Sequence, residues 1–249
     1  MRQSRLIILT GPSGVGKTPL DLSLNKFFPE IRQRMKKIIL YNSRDPRPGE
    51  IDGRDYHFRS EKYLNQLRED KAYLVLDVRG DTQALNLTEL KQLLKNYNVF
   101  FEGNTYIALK LIDYFKSDRS SELVSIFLSP LSKNEIQLIR KRVKSNSLEY
   151  LITILMYKKL ERRLRNYGKI LTSNRIENIK IRSREAYSEL KEAWKFDWII
   201  PNHDGEDSDH WNILPYPIGD AQKSLNTFID ILQKGQSEFA EKWPNNLEI

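Results

Sequence analysis

No cysteine occurs in the 249 residues, so disulfides and thiolate metal sites are excluded. Long apolar runs are also missing. None approaches the roughly 18 residues that a membrane-spanning helix requires. The first apolar run, Leu6 to Leu9, is well short of the roughly 7–15 residues of a secretory signal. Internal repeats and low-complexity linkers are absent too. These absences predict a soluble, cytoplasmic protein with no membrane partner; a monomer or a homodimer is expected. The length suits one large domain, or one domain carrying an inserted subdomain.

Positive charge is in excess. Lys and Arg number 41 against 33 Asp and Glu, a formal net charge of +8. A basic chain favours nucleic acid or phosphorylated small molecules as partners. The excess lies mainly in Arg32 to Arg59 and in Arg140 to Arg184. An anionic substrate accounts for the first cluster. The second reads equally well as solvated helix faces.

Leu6 to Thr18, LIILTGPSGVGKT, organises the chain. An apolar strand leads into a loop punctuated by Gly11, Gly14 and Gly16, and an amphipathic segment follows from about Leu20 to Phe27. Strand, glycine loop and helix together are the context of a phosphate-binding P-loop. The spacing alone turns up in roughly one chain in a hundred of this length. Glycines let backbone N–H groups approach phosphate oxygens, and a helix N-terminus adds donors and partial positive charge. Gly11, Ser13, Gly14, Val15, Gly16, Lys17 and Thr18 are therefore the ATP-binding candidates. Lys17 supplies charge to the outer phosphates, and the Thr18 hydroxyl is placed to hold Mg²⁺. Pro19 follows directly. Proline is tolerated in a first helical turn but removes one N–H from the phosphate side.

Further along, strands and helices alternate. Strands are expected at Lys36 to Tyr41, Ala72 to Val78, Val99 to Glu102, Leu123 to Leu128 and Trp198 to Ile200. Helices are expected at about Ser60 to Glu69, Leu87 to Asn96, Tyr106 to Phe115, Lys133 to Lys159, Glu177 to Trp194 and Ala221 to Leu232. Such alternation predicts an α/β fold with a parallel sheet and helices on both faces. Ligands bind at the carboxyl ends of such strands, which places the P-loop, the loop after Asn42 and Glu102 around one cleft. In that loop, Arg44 and Arg47 are spaced to grip one phosphate through bidentate forks, with Tyr56 adding a phenolic hydrogen bond.

GPSGVGKT at Gly11 to Thr18 and SRDPRPGEIDGRDYHF at Ser43 to Phe58 resemble the guanylate kinase family. Weaker likeness continues through IFLSP at Ile126 to Pro130, ENIKIRSREAYSEL at Glu177 to Leu190 and FDWIIPNHD at Phe196 to Asp204. The resemblance implies a P-loop NTPase three-layer fold in a single domain, residues 1–249. Its core would take about 1–40, 97–130 and 196–235. A small acceptor subdomain would take about 41–96, and an extended helical lid about 131–195. It also implies transfer of the ATP γ-phosphate to a nucleoside monophosphate, most directly GMP or dGMP, with Mg²⁺. Arg44, Arg47 and Tyr56 would hold the acceptor phosphate. Arg182 would reach the transferred group from the lid, and Asn202 would lie near the adenine. Glu102 would orient Mg²⁺-bound water beside Thr18. The catalytic candidates are thus Lys17, Arg182 and Glu102.

The chain departs from the family where guanine is read. Thr82 and Gln83 replace its tyrosines, its glutamate falls near Val75 with Asp77 the nearest acid, and its serine falls at Leu40. Asn104 stands where an aspartate would contact guanine or metal-bound water. Asp77 and Asn104 are the polar acceptor-binding candidates that remain. The lid is longer than the family's and carries Arg162, Arg163, Arg165, Arg175, Arg182 and Arg184, most of them expected to be solvated. Pro201 to Trp211, PNHDGEDSDHW, contains metal-ligand residue types in His203, Asp204, Glu206, Asp207, Asp209 and His210, but a solvated acidic loop is the expectation.

Three other readings compete with a GMP kinase. One is a kinase of another phosphorylated acceptor, such as a sugar phosphate or modified nucleotide. Another is a non-catalytic binding module, although Lys17 and Thr18 are retained. The third is a polynucleotide-end kinase, which the basic charge permits, although the basic–aromatic interleaving of single-strand binders is missing.

Overall fold

The computed structural model describes residues 4–46, 49–117, 122–142, 147–166, 168, 170–245 and 247. In chain order, β1 (Arg5–Thr10) leads to α1 (Lys17–Phe27), α2 (Pro29–Arg32), β2 (Met35–Lys37), β3 (Tyr41–Asn42) and β4 (His57–Phe58). Then come α3 (Glu61–Gln66), β5 (Tyr73–Val78), β6 (Asp81–Asn86), α4 (Leu87–Leu94), β7 (Asn98–Glu102), α5 (Thr105–Ser117) and β8 (Glu122–Ser129). The rest is helical apart from β9 (Trp198–Pro201): α6 (Lys133–Arg142), α7 (Ser147–Asn166), α8 (Ser173–Lys191) and α9 (Gly219–Lys234). Five strands form a sheet in the order β2-β7-β1-β8-β9. The β2–β7 and β8–β9 pairs are parallel. β1, β7, β8 and β9 carry apolar runs, as expected of strands buried on both faces, whereas the edge strand β2 exposes Lys36 and Lys37.

Side-chain caps set several helix starts. Ser60 accepts from the Tyr63 N–H at 3.2 Å, Asn86 from Glu89 at 3.0 Å and Thr172 from Arg175 at 3.4 Å. Each satisfies one of the orphan donors of a first turn. Thr172 also starts α8 at Ser173, ahead of the expected Glu177.

The structure corrects the expectation of one strand over Lys36 to Tyr41. Met35–Lys37 belongs to the five-stranded sheet, whereas Tyr41–Asn42 belongs to a four-stranded sheet ordered β4-β3-β6-β5. Strand β6 was not expected, because Asp81, Thr82 and Gln83 break the apolar pattern. It forms by a hairpin onto β5. Arg79 (φ 59°) and Gly80 (φ 84°) turn the chain, both with the positive φ that tight two-residue hairpins favour. The helical stretch expected over Lys133 to Lys159 is two helices, α6 and α7; residues 143–146 between them lie outside the described set.

The chain forms two compact units. One comprises Met1–Ile8, Arg34–Phe101 and Tyr106–Val124. It contains the four-stranded sheet, in which β3–β6 and β5–β6 are antiparallel and β3–β4 is parallel. Leu64, Leu85, Leu90, Phe100 and Phe101 are among its buried side chains. The other comprises Leu9–Gln33, Glu102–Thr105 and Ser125–Ile249, with Leu20, Leu24, Phe127, Met156, Leu160, Ile199, Leu225 and Phe228 buried. Among the described residues, no helix is long and apolar enough to cross a membrane.

Candidate active site

The glycine loop sits between the end of β1 and the start of α1. Gly11 and Gly16 hold φ of 137° and 108°, values that side-chain-bearing residues rarely adopt. Space is equally restrictive: a Cβ on Gly11 would collide with the Leu128 carbonyl, and one on Gly16 would stand 2.5 Å from Asn202 Nδ2. Gly16 is also the N-cap of α1, so no side-chain oxygen caps its first turn. First-turn N–H groups of this kind are suited to an outside anion. Lys17 Nζ lies over the same loop, donating to the carbonyls of Gly11 at 2.7 Å and Pro12 at 2.9 Å. Ser13, Gly14 and Val15 complete a buried loop wall.

One residue beyond Lys17, the exposed Thr18 hydroxyl donates to Glu102 Oε1 at 3.0 Å. Glu102 ends β7, and its neighbours are pinned. The Gly103 N–H donates to the Leu9 carbonyl at 3.3 Å, and Thr10 Oγ1 donates to the Gly103 carbonyl at 3.0 Å. Thr10 Oγ1 also meets Thr105 Oγ1 at 3.2 Å, and Thr105 donates to Glu189 on α8 at 2.5 Å. Thr10, Thr105 and Glu189 are fully buried, so each polar group needs these partners. Sequence reasoning missed Thr105 and Glu189. A Thr and a Glu separated by a long stretch of sequence give no local signal. Asn104 lies half-buried within this pinned segment, and Arg182 lies half-buried on α8.

Asn202, expected near the adenine, is 0% exposed. Its Nδ2 donates to the Val15 carbonyl at 2.7 Å and to the Asp204 carbonyl at 2.8 Å, while its Oδ1 accepts from the Asp204 N–H at 3.1 Å. Through the Val15 carbonyl it braces the glycine loop.

Pro201 to Trp211 is not the solvated acidic loop expected. Asp204, Asp207 and Trp211 are buried. Among the described residues, no cluster of His, Cys, Asp or Glu is arranged to hold a metal ion. Instead α7 meets this loop. Arg162 pairs with Asp207 at 3.1 Å and Arg163 with Glu206. Burial pushes the Asp204 carboxyl up, but donors on His210, Ser208 and the Ala221 N–H outweigh it and hold the carboxyl below its ordinary range.

In the other unit, Arg44 is forked onto Glu50 at 2.7 and 2.8 Å. Burial pulls the Arg44 guanidinium down, and the Glu50 hydrogen bond and charge more than restore it, so it stays charged. The guanidinium stacks 5.1 Å from the Tyr56 ring and 5.4 Å from Phe58. Arg44 and Tyr56 are thus brought together; Arg47 lies outside the described residues. Asp77 pairs with Arg68 and accepts from Thr82 Oγ1 at 3.2 Å. Register sets Gln83 opposite both Asn42 and Leu76 on the same sheet.

The guanylate kinase family model matches residues 3–179. The guanylate kinase of Mycoplasma mobile is 30% identical over 206 residues, covering 82% of this chain and 87% of that protein. The Ehrlichia canis guanylate kinase is 26% identical, covering 82% of each, and that of Caldanaerobacter subterraneus subsp. tengcongensis is 29% identical, again covering 82% of each. The crystal structure of guanylate kinase from Anaplasma phagocytophilum has the same fold, with a TM-score of 0.57 at 16% identity over 96% of this chain and 89% of that one.

Proposed function

Because the chain belongs to the guanylate kinase family, we propose that it is a nucleoside monophosphate kinase that moves the ATP γ-phosphate to GMP or dGMP. One observation carries this reading. A glycine loop, the Lys17 ammonium and the Thr18–Glu102 pair converge at the start of α1. The same residues argue against a non-catalytic module, which has no use for them.

In this reading ATP lies along Gly11 to Thr18, its phosphates met by first-turn N–H groups and by Lys17. A hydroxyl and a carboxylate 3.0 Å apart are hard oxygen donors that fit Mg²⁺, so Thr18 and Glu102 would hold it. When bound, the ion supplies charge neutralisation across the outer phosphates. Arg44, Arg47 and Tyr56 hold the acceptor phosphate. An oxygen of that phosphate attacks the γ-phosphorus in line, and the bond from the γ-phosphorus to the ADP oxygen breaks. A phosphate oxygen is already anionic, so no strong general base is required. Arg182 stabilises charge on the transferring group. Catalysis is positioning and electrostatics.

A second acceptor class is favoured by one observation. Leu40, where the family's serine falls, is buried, and Val75, near the family's glutamate, pairs with Ala84 in register, so neither offers a polar group to a base. Another phosphorylated acceptor, such as a modified nucleotide or sugar phosphate, suits a site lacking those two base-reading groups. Comparing kcat/KM for GMP, dGMP, AMP, UMP and ribose 5-phosphate tests the proposal. GMP or dGMP is expected to lead, by less than about a thousandfold over AMP, because a site without base-specific partners discriminates weakly. Failure to turn over any nucleoside monophosphate overturns it.

A further inference from the structure

Loop 202–207 bears directly on the P-loop. Gly205 passes so close that a Cβ there would collide with the Gly14 carbonyl oxygen. The Glu206 N–H donates to that same oxygen at 3.2 Å. Next along the P-loop, Asn202 Nδ2 donates to the Val15 carbonyl at 2.7 Å. Two consecutive P-loop carbonyls are therefore fixed by one segment. Every described peptide bond is trans, and a planar trans peptide aims its N–H opposite to its C=O. Holding the Val15 carbonyl towards Asn202 thus turns the Gly16 N–H away from it.

That segment is in turn held by one face of α7. Lys159, Arg162, Arg163 and Asn166 recur at the spacing that brings side chains together on a helix. Lys159 Nζ donates to the His203 carbonyl, between the two residues Asn202 and Asp204, and stands 3.7 Å from Asp207 Oδ1. Arg162 pairs with the other Asp207 oxygen at 3.1 Å, and Asn166 Nδ2 donates to the Asp207 carbonyl at 3.1 Å. Lys159 is the buried member, 7% exposed. Burial is costly for an ammonium unless it is paired and hydrogen-bonded, and here it is both. On its flank, Leu160 and Met156 reach the space over Gly14.

We propose that Lys159 is a positioning residue for the phosphate donor. It fixes loop 202–207, which fixes the Gly14 and Val15 carbonyls, so the P-loop N–H groups are oriented before the anion arrives. This inference rests on the reading of Gly11 to Thr18 as the ATP site. Lys159 touches neither reactant; its effect is preorganisation of a binding loop.

The test is calorimetric titration of wild type and Lys159→Met with a non-hydrolysable ATP analogue, alongside steady-state kinetics with GMP. The variant is expected to bind the analogue about tenfold more weakly, the worth of roughly one charge-assisted hydrogen bond. KM for ATP should rise by the same factor while KM for GMP stays put. Asn202→Ala should also weaken the analogue, and the double variant should lose less than the product of the two single losses, since both act through one segment. Should Lys159→Met not fold, Arg162→Ala at the exposed rim is expected to weaken the analogue by about two- to threefold, within the range of a partly exposed ion pair. Unchanged analogue affinity in a folded variant overturns the positioning role, as does a parallel rise in both KM values. Absence of analogue binding by wild type overturns instead the ATP-site reading on which the role rests.

Discussion

The Thr18 hydroxyl and the Glu102 carboxylate are hydrogen-bonded at 3.0 Å, joining the first turn of α1 to the end of β7. Gly103, the next residue, is tied by its N–H to the Leu9 carbonyl at 3.3 Å and by its carbonyl to Thr10 Oγ1 at 3.0 Å. If this pair holds Mg²⁺, Glu102→Gln should raise the Mg²⁺ concentration for half-maximal activity by about 10–100-fold, the usual cost of losing a metal-orienting group. A Mg²⁺ titration of turnover checks this, and an unmoved midpoint counts against Glu102.

Pro19 sits in the first turn of α1, where a threonine would add one N–H and one hydroxyl within reach of phosphate. Pro19→Thr should tighten ATP by about 1–2 kcal/mol, the range for hydrogen bonds to charged groups. Equal or weaker affinity by calorimetry would mean that the loop has adapted to proline.

Arg44 keeps its charge through its fork onto Glu50 and stacks against Tyr56. Arg44→Ala should weaken the acceptor by roughly 2–4 kcal/mol as a lost charge-assisted grip. ATP affinity should stay unchanged. A rise in the KM for ATP with the KM for GMP unaffected would reverse the assignment.

Asp204 is held below the ordinary carboxylate range against the upward push of burial. Its proton binds less readily in the folded chain than in the unfolded one, so its contribution to stability is present above the ordinary carboxylate range. That contribution is lost as pH falls through the depressed value. The Ala221 N–H donates to Asp204 Oδ2 at 3.0 Å and reports on it. Protection of that amide against hydrogen exchange should decline as pH falls below the ordinary carboxylate range. Protection that holds until global unfolding would show that the carboxylate is dispensable.

The P-loop was legible because its chemistry is local: glycine spacing, a lysine and a threonine, flanked by strand and helix. That Arg44 and Tyr56 lie together was legible for the same reason. The brace between α7 and loop 202–207 was not. Lys159 and Asp207 are far apart in sequence, and each charged run reads by itself as solvated surface. Only the fold shows that the basic stripe and the acidic loop neutralise each other. The resemblance implies a place near the adenine for Asn202, but gave no sign of its hydrogen bonds to the backbone of Val15 and Asp204. Strand β6 was hidden by the polar Thr82 and Gln83, although the Arg79–Gly80 turn was a readable hairpin signal.

The central claim is phosphoryl transfer from ATP, driven from the P-loop. Following label from [γ-³²P]ATP into nucleoside diphosphate, with GMP as acceptor, tests it most directly when wild type and Lys17→Ala are compared. Wild type should produce labelled GDP. Lys17→Ala should keep its circular dichroism yet lose transfer by at least about 10²–10³-fold, the scale for removing one charge-stabilising donor. No labelled diphosphate from wild type, or undiminished transfer by a folded Lys17→Ala, would contradict the account.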